Sequence, residues 1–398
     1  MERDKMKIKK LDKKELFDAY LIAVNCFHMR VEDVEAKREA IEAEKHDDWG
    51  AFDEDGTMMA RIINNHFLFH LDGQIIPAGG IGAVSTLPEY RNRGAVREMF
   101  RELLPDAYRN GEVISTLYPF NHAFYRKVGY EVVTFMNEYC FAPSVLCRYH
   151  FDGEVKAWKP GDSAADFISV YNEFASEFNL SMVRNEEKMT EHMKVDNLYM
   201  DRKFSYVLKR EGKPIAYVIF TDVQHNPAAI LRVEECAWIN RDGFHAILGF
   251  LARFDADYGE IKLTLPKGID LLRVIESPRA YDIRKQTLQG FMVRVIHAKK
   301  LLELIRKPEN CHFTVKVTDE IIEENNRLFC VKDNEVMEAA EESTTADMEL
   351  SVRALGQMAV GALNFDEALL RLDVTVHSKE ELLRSVFREK NIFVGEHF

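Results

Sequence analysis

The chain has 398 residues, 46% of them hydrophobic and 30% charged, a composition typical of globular proteins with two or three domains. Its net charge of −13 argues against DNA or RNA as the main partner, because a phosphate-binding face must be basic, and it is compatible with cationic small molecules. The six cysteines are scattered without a C-x-x-C pair, and no His or Cys cluster has metal-ligand spacing, so no metal is predicted.

The N-terminal segment is charged throughout and lacks the apolar core of a signal peptide. No apolar run elsewhere approaches the length of a membrane span, so the sequence predicts a cytoplasmic protein without a membrane partner. Apolar residues at helical spacing predict helices over residues 11–45. Residues 51–86 then read as strands, with turns at the "EDG" and "LDG" sequences.

A strand, a turn and a helix are predicted in the sequence "VSTLPEYRNRGAVREMF", which runs from Val84 to Phe100. The helix has one apolar face, is expected to be kinked or shortened at Pro105, and has a suitable C-terminal cap in Gly111. Because "EVISTLYP" follows as a buried strand, the local order of strand, helix and strand predicts a parallel crossover unit.

The middle of the chain repeats this layout more weakly. A hairpin pattern in "FSYVLKREGKPIAYVIF" precedes a strand, a helix and a strand, but the strand–helix junction "INRDGF" has no arginine-flanked glycine turn. We interpret this segment as a degenerate second copy of the first domain. From about Phe291 the pattern changes to strand-then-helix units and meandering strands, which predicts a third domain. The predicted domains are residues 1–145, 146–288 and 289–398.

The turn after Val84 has the chemistry of an anion site, although it contains neither of the common glycine-rich nucleotide motifs. A helix N-terminus offers unpaired N–H groups and the positive end of the helix dipole. Gly94 lets the backbone approach a ligand closely, and Arg91 and Arg93 add charge. Residues 91–96 could therefore hold a diphosphate, and the alternative is a turn that only reverses the chain, with solvated arginines.

Two motifs in this order resemble the GCN5-related N-acetyltransferase (GNAT) superfamily. The R-x-x-G-x-[GA] pattern of its coenzyme A loop matches at Arg91 and Gly94 and departs at Val96. Further along, "AFYRKVGYE" resembles the superfamily's later segment, in which an aromatic–tyrosine pair precedes a glycine–aromatic turn. Those positions are Phe124, Tyr125, Gly129 and Tyr130.

Over the full length, the chain resembles the enhanced-intracellular-survival (Eis) family of this superfamily. Three stretches carry the narrower resemblance: the opening motif, where that family also accepts a larger residue at Val96, the "FMVRVI" sequence, and the aromatic chain end at Phe398. The resemblance implies a fold of mixed α+β and α/β type, with two tandem GNAT-like domains, the second degenerate, and a C-terminal sterol-carrier-protein-like α+β domain. It also implies a homohexamer.

The resemblance further implies where acetyl-CoA would bind. The backbone of Val84, Ser85 and Thr86 would face the pantetheine and the acetyl carbonyl, on a strand that splays from its neighbour, and a bulge would produce that splay. Phe120 and Asn121 would line the other side of the cofactor. The diphosphate cradle would be formed by Asn92, Arg93, Gly94, Ala95, Val96 and Arg97.

Acetyl transfer from a thioester to an amine needs a base for the amine and an acid for the departing thiolate. Tyr125 is the expected acid, since a phenol is protonated at neutral pH, and the alternative is that it only packs beside Phe124. The resemblance assigns the base to the terminal carboxylate of Phe398, which is weakly basic unless it is desolvated. His397 and Glu396 are rival bases.

The predicted function is therefore direct transfer of acetyl from acetyl-CoA to an amine of a cationic small molecule, in a ternary complex. Aminoglycosides are the acceptors that the family suggests, and lysine-like amines and polyamines are others. The alternative is a non-catalytic protein that binds a lipid or another small molecule through its C-terminal domain, in which case Tyr125 and Phe398 would be dispensable.

Overall fold

The computed structural model describes residues 6–31, 33–43, 46–194, 202–223, 229–276, 282–339 and 345–396. The chain folds into two compact units. The first comprises the described residues of Met1–Val133, Phe291–Glu389 and Glu396–Phe398, and the second comprises those of Thr134–Gly290 and Lys390–Gly395. Among these residues, no helix has both the length and the apolar character that a membrane crossing requires.

The N-terminal part of the first unit contains a long hairpin followed by a strand–helix–strand crossover. Its elements are β1 (Lys7–Lys10), α1 (Leu16–Cys26), α2 (Arg38–Ile41), β2 (Asp47–Phe52), β3 (Met58–Leu71), β4 (Gln74–Thr86), α3 (Ala95–Arg109), β5 (Ile114–Leu117), α4 (His122–Arg126) and β6 (Glu131–Val132). β4 and β5 are parallel, as the predicted crossover requires.

Helix α3 is not shortened at Pro105, so that part of the expectation was wrong. The helix continues to Arg109 because five buried apolar side chains hold its inner face on the sheet, which outweighs the single lost N–H bond. Those side chains are Met99, Phe100, Leu103, Leu104 and Ala107. Gly111 adopts the left-handed conformation expected just beyond the helix end, with φ of +81°.

The second unit has one seven-stranded sheet with its own apolar core. Its elements are β7 (Phe135–Phe141), β8 (Glu154–Ala157), α5 (Ala165–Ser176), α6 (Glu186–Met193), β9 (Arg202–Arg210), β10 (Lys213–Val223), β11 (Ile230–Trp238), α7 (Arg241–Leu251), β12 (Glu260–Pro266), α8 (Leu271–Val274) and β13 (Ile283–Gln289). The strand order is β13-β7-β12-β11-β10-β9-β8. Residues 134–145, placed in the first domain by the sequence analysis, lie in this unit.

The C-terminal part of the chain returns to the first unit. Its elements are β14 (Met292–Val295), α9 (Ala298–Leu304), β15 (His312–Thr318), β16 (Leu328–Lys332), β17 (Glu335–Glu338), β18 (Met348–Ser351), α10 (Val352–Val360), α11 (Phe365–Ala368), β19 (Val374–Val376) and α12 (Glu380–Val386). Five of these strands form a separate sheet in the order β17-β16-β15-β18-β19.

Strand β14 is the exception, because it completes the N-terminal sheet. It lies between β5 and β6 and is antiparallel to both, giving the order β1-β2-β3-β4-β5-β14-β6. Helix α10 packs beside it, and the side-chain amide of Gln357 donates to the Val132 carbonyl at 2.6 Å. The "FMVRVI" segment is thus a structural part of the first sheet.

A charged cluster joins β2, β3 and the loop before β5. His66 lies between two carboxylates, with Nε2 3.4 Å from Asp47 and Nδ1 3.2 Å from the buried Glu112. The hydrogen bonds to Asp47 and then to Glu112 raise the pKa of His66 to about 10. The hydrogen bond from His66 in turn lowers the pKa of Asp47 to about 2.

This cluster predicts a pH dependence of stability. Because the pKa of His66 is higher in the folded chain than its ordinary 6.5, the stabilisation is complete below pH 6.5 and is lost as pH rises toward 10. Urea unfolding of the wild type and His66→Gln should therefore show a gap in unfolding free energy at pH 6 that shrinks by pH 9.5. A gap of equal size at both pH values would contradict this interpretation.

Candidate active site

Strands β4 and β5 separate toward their C-terminal ends. Their parallel pairing runs only from Ala78 opposite Ile114 to Ile81 opposite Leu117, while β4 continues to Thr86. Among the described strands, none pairs with the β5-facing edge of β4 over residues 82–86, which include the predicted Val84, Ser85 and Thr86. A slot between two strands, with backbone groups that no neighbouring strand pairs, suits an amide-bearing ligand such as pantetheine.

A bulge in β4 accompanies this separation, as the sequence analysis expected. The pairing with β3 shifts register between Arg61 and Ile63, so that two residues of β4 oppose one of β3. Ala83, in the bulge, has a φ of +47°. A bulge bends its strand and increases its twist, which turns the end of β4 out of line with β5.

The turn between β4 and α3 presents a row of open backbone amides. Asn92 and Gly94 both have left-handed conformations, with φ of +65° and +87°. The first bond inside the helix is from the Glu98 amide to the Gly94 carbonyl, at 3.1 Å. The amides of residues 92–97 have no hydrogen-bond partner within the described chain, and they stand at the positive end of the helix dipole. This is the arrangement of a diphosphate site.

Two arginines of the turn support the turn itself. The Arg91 Nε donates to the Thr86 carbonyl at 3.4 Å, and Arg93 donates to the Glu89 carbonyl at 3.5 Å and stacks on Tyr90. Arg97 instead folds back toward the glycine, with its Nη2 3.7 Å from the place that a Cβ on Gly94 would take. The backbone amides therefore form the main anion site, and Arg97 is the arginine closest to it.

Gly94 allows a direct test of the turn. We expect Gly94→Ala to lower the unfolding free energy by about 1–2 kcal/mol, because other residues are strained at positive φ, and to raise the KM for acetyl-CoA about tenfold. Gly111→Ala, at the other end of α3 with φ of +81°, is the matched control. It should lose similar stability with an unchanged KM, and equal KM values in both variants would overturn the assignment.

Tyr125 lies on α4 within a cluster of rings. Its side chain is 2% exposed, and its ring centroid lies 5.2–6.2 Å from those of its four aromatic neighbours. The neighbours are Phe100, Phe120, Phe124 and Tyr130. The Tyr125 hydroxyl donates no hydrogen bond to any described residue, and burial raises its pKa above the ordinary value of 10. The hydroxyl is therefore protonated at neutral pH and available to a ligand.

The other residues expected to line the cofactor differ in their surroundings. Phe120 is 72% exposed, although its ring contacts Tyr125, so one face of it is free for a ligand. The side chain of Asn121 caps α4 by accepting from the Phe124 amide at 3.1 Å, and it therefore orients the helix that carries Tyr125. Both residues follow β5, on the side where it separates from β4.

The expected base, Phe398, and its rival His397 lie outside the described residues. Glu396 is described, is 8% exposed, and belongs to the first unit. Burial and then the charge of Glu396 raise the pKa of Tyr118, the residue that follows β5. The last described residue of the chain is thus within electrostatic reach of the end of β5.

Sequence reasoning missed the residue that holds the glycine–aromatic turn after α4. Arg294 of β14 is fully buried, donates from Nε to the Val128 carbonyl at 3.1 Å, and binds Asp319 through two contacts of 2.7 and 2.9 Å. Gly129 has φ of +89°, and a Cβ there would stand 2.5 Å from the Arg294 Nε. The lone arginine in the apolar "FMVRVI" run was the available signal.

The second unit contains the same strand–turn–helix layout, but a side chain occupies the amides at the start of its helix. β11 pairs in parallel with β12 over Ile230 to Val233 and then continues to Trp238, as β4 does beyond β5. However, the Asn240 side chain caps α7 by accepting from the Gly243 amide at 2.9 Å. A Cβ on Gly243 would stand 2.3 Å from a backbone carbonyl, so this turn is also packed against the chain. Helix α3, by contrast, begins without a side-chain cap.

Comparison with known proteins agrees with this arrangement. Two family models, each described as an acetyltransferase (GNAT) domain, match residues 7–133 and 180–295. A family model described as a sterol carrier protein domain matches residues 298–393. No curated protein sequence matches the chain.

Three solved structures share the fold over almost the whole chain, and each is covered over 100% of its own length. A GCN5-related N-acetyltransferase from Anabaena variabilis is 18% identical over 99% of this chain, with a TM-score of 0.86. A probable N-acyltransferase from Enterococcus faecalis is 19% identical over 99%, with a TM-score of 0.86. Eis1 from Mycobacterium abscessus is 17% identical over 99%, with a TM-score of 0.82.

The chain therefore belongs to the GCN5-related N-acetyltransferases, the class of acetyl-CoA-dependent enzymes that the open turn and the separated strands define. In this chain two GNAT domains precede a sterol carrier protein domain, and the fold is similar to that of Eis1 from Mycobacterium abscessus. The predicted fold class is confirmed.

Proposed function

We propose that the first unit transfers acetyl directly from acetyl-CoA to an amine of a cationic small molecule, within a ternary complex. The observation that carries the proposal is the run of open amides over residues 92–97, reached from the unpaired end of β4. When bound, acetyl-CoA supplies the acetyl thioester. Val84, Ser85 and Thr86 would hold its pantetheine, and residues 92–97 its diphosphate. Phe120 would cover the other side, and Asn121 would orient α4.

The bonds and protons of the reaction can be assigned to groups of the chain. The amine nitrogen attacks the acetyl carbonyl, the carbon–sulfur bond breaks, and the Tyr125 hydroxyl donates its proton to the departing thiolate. The amine proton passes to a carboxylate. We assign this base to the C-terminus of Phe398, supported by the burial of Glu396 and its effect on Tyr118 at the end of β5.

The acceptor would bind where α1 meets the end of β4. The Cys26 thiol donates to the Thr86 carbonyl at 3.3 Å, so the residues after α1 border the proposed acetyl position. Phe27 and Met29 are exposed there, at 54% and 44%, and offer apolar surface beside the reacting centre. The whole chain carries a net charge of −13, which favours a cationic acceptor such as an aminoglycoside, a polyamine or a lysine-like amine.

The domain limits at residues 145 and 288, the homohexamer and the cytoplasmic location stay predictions. Light scattering after size exclusion tests the hexamer. The rival function, lipid or small-molecule binding by the C-terminal domain without catalysis, predicts no CoA release with any amine.

The deciding experiment measures CoA release from acetyl-CoA with a panel of aminoglycosides, polyamines and lysine derivatives. We compare the wild type with a chain extended by three residues beyond Phe398, which moves the terminal carboxylate. The extension should lower kcat with little change in the KM for acetyl-CoA. Undiminished kcat would remove Phe398 from the mechanism, and no turnover with any amine would favour the binding function.

A further inference from the structure

A basic cavity of about 570 Å³ opens beside α3 in the first unit. Its wall combines α3, the end of α4 with the residues after it, and three segments of the C-terminal part: β14, the end of β15 with the loop after it, and the start of α10. Six Lys or Arg side chains line it, against two acidic ones, Asp319 and Glu320. The six are Arg97, Arg101, Arg126, Lys127, Arg294 and Arg353.

Asp319 is already paired with Arg294, so five cations face one remaining lining carboxylate. Carboxylates outside the cavity lining form ion pairs with some of these cations, but they leave N–H donors of the lining side chains unused. Arg97 and Arg101 share Glu98, at 3.5 and 3.2 Å.

Arg353 and Lys127 also have N–H donors that no described carboxylate uses. Arg353 shares Asp373 with Arg371, at 3.2 and 2.8 Å. Each guanidinium carries five N–H donors, of which one shared carboxylate uses at most two. Lys127 is exposed and has no ion pair within 4 Å in the described chain. The cavity is therefore suited to a compact polyanion.

The cavity adjoins the turn that we assign to a diphosphate, through the side chain of Arg97. Arg97 lines the cavity and also lies 3.7 Å from the place of a Cβ on Gly94. One bound molecule can thus place an anionic group on the open amides and a second one in the cavity. The volume lies in the range of small-ligand sites, and a cationic acceptor amine would be repelled from it.

We propose that this cavity binds the phosphate monoester of a nucleotide, with Arg101 from the acetyltransferase part and Arg353 from the C-terminal part as donors. The assignment rests on the proposed function, because it extends from the diphosphate turn. Guanidinium groups are the preferred partners of a phosphate dianion. Coenzyme A carries such a monoester on the ribose next to its diphosphate, and a separate nucleotide is the other possible source.

Calorimetry with the full-length protein tests the assignment without needing turnover. We compare the wild type, Arg101→Gln, Arg353→Gln and, as control, Arg109→Gln, an exposed arginine on α3 that lies outside the cavity. The titrants are CoA, 3′-dephospho-CoA, and adenosine 3′,5′-bisphosphate, the last added both to the free protein and to protein with saturating CoA. Thermal melting of each variant checks that the fold is intact.

Each cavity variant should weaken CoA binding about tenfold, the effect of one charge-assisted hydrogen bond, and leave the weaker binding of 3′-dephospho-CoA unchanged. A loss confined to adenosine 3′,5′-bisphosphate would support a cavity that serves a separate nucleotide. Equal losses for CoA and 3′-dephospho-CoA, or no loss with any titrant, would overturn the inference. A wild type that does not bind CoA would instead contradict the proposed function, and the bisphosphate titration would still judge the cavity.

Discussion

Replacing Tyr125 with phenylalanine should lower kcat for acetyl transfer about a hundred- to ten-thousandfold, the usual contribution of a positioned general acid. The KM for acetyl-CoA should change little, because the ring and its aromatic contacts remain. The hydroxyl makes no bond to a described residue that its loss could break, so the fold should be as stable as the wild type. CoA release at saturating amine measures the effect.

Tyr130→Phe is the matched control for this variant. Tyr130 is a buried tyrosine of the same ring cluster, and its hydroxyl is engaged with Ser115 at 2.7 Å. The control should therefore lose about 1 kcal/mol of unfolding free energy with kcat nearly unchanged. If Tyr125→Phe kept its kcat within twofold of the wild type, Tyr125 would be only a packing residue.

Replacing Asp319 with alanine should lower the unfolding free energy by about 3–5 kcal/mol, the cost of leaving a buried charge without its partner. The Asp319 carboxylate binds Arg294, the amides of Ile321 and Ile322, and the Asn325 side chain, all at 2.7–3.1 Å. Because Arg294 also supports the Val128 carbonyl beside the turn after α4, activity should fall as well.

Urea unfolding measures this loss, with Glu276→Ala as the control. Glu276 pairs with Arg148 at 3.3 Å, and both side chains are more than 70% exposed. The control should remain within about 1 kcal/mol of the wild type, because exposed ion pairs contribute little. A loss for Asp319→Ala no greater than for the control would show that the buried pair does not hold the two parts of the unit together.

The features that the sequence revealed are local ones. The strand, turn and helix around Gly94 follow from residues within one short stretch, and the requirement for a glycine there is visible in its φ of +87°. Tyr125 could be singled out because its motif is continuous in sequence. The continuation of α3 through Pro105 could not be predicted in this way. The packing of the helix's inner face overrides the local rule that proline shortens a helix.

Contacts between distant segments escaped the sequence reasoning. The pairing of Arg294 with the Val128 carbonyl joins residues 166 positions apart, and neither neighbourhood contains a signal for the other. Arg353 likewise lines the basic cavity beside α3, although the two segments are far apart in the sequence. The sequence analysis expected Arg91 and Arg93 to add charge to the diphosphate site. Both side chains instead donate hydrogen bonds to nearby backbone carbonyls, those of Thr86 and Glu89.

The position of β14 has a consequence for how the chain is made on the ribosome. β6 pairs only with β14 among the described strands, and β5 also needs β14 to cover its outer edge. The acetyltransferase sheet therefore cannot be completed until translation has passed Val295, after the long segment Thr134–Gly290 of the second unit has been made. Until then, nascent chains expose an unpaired strand edge, which is a site for aggregation or for chaperones. A chain truncated after Val133 should accordingly accumulate in inclusion bodies, although it contains every residue of the diphosphate turn.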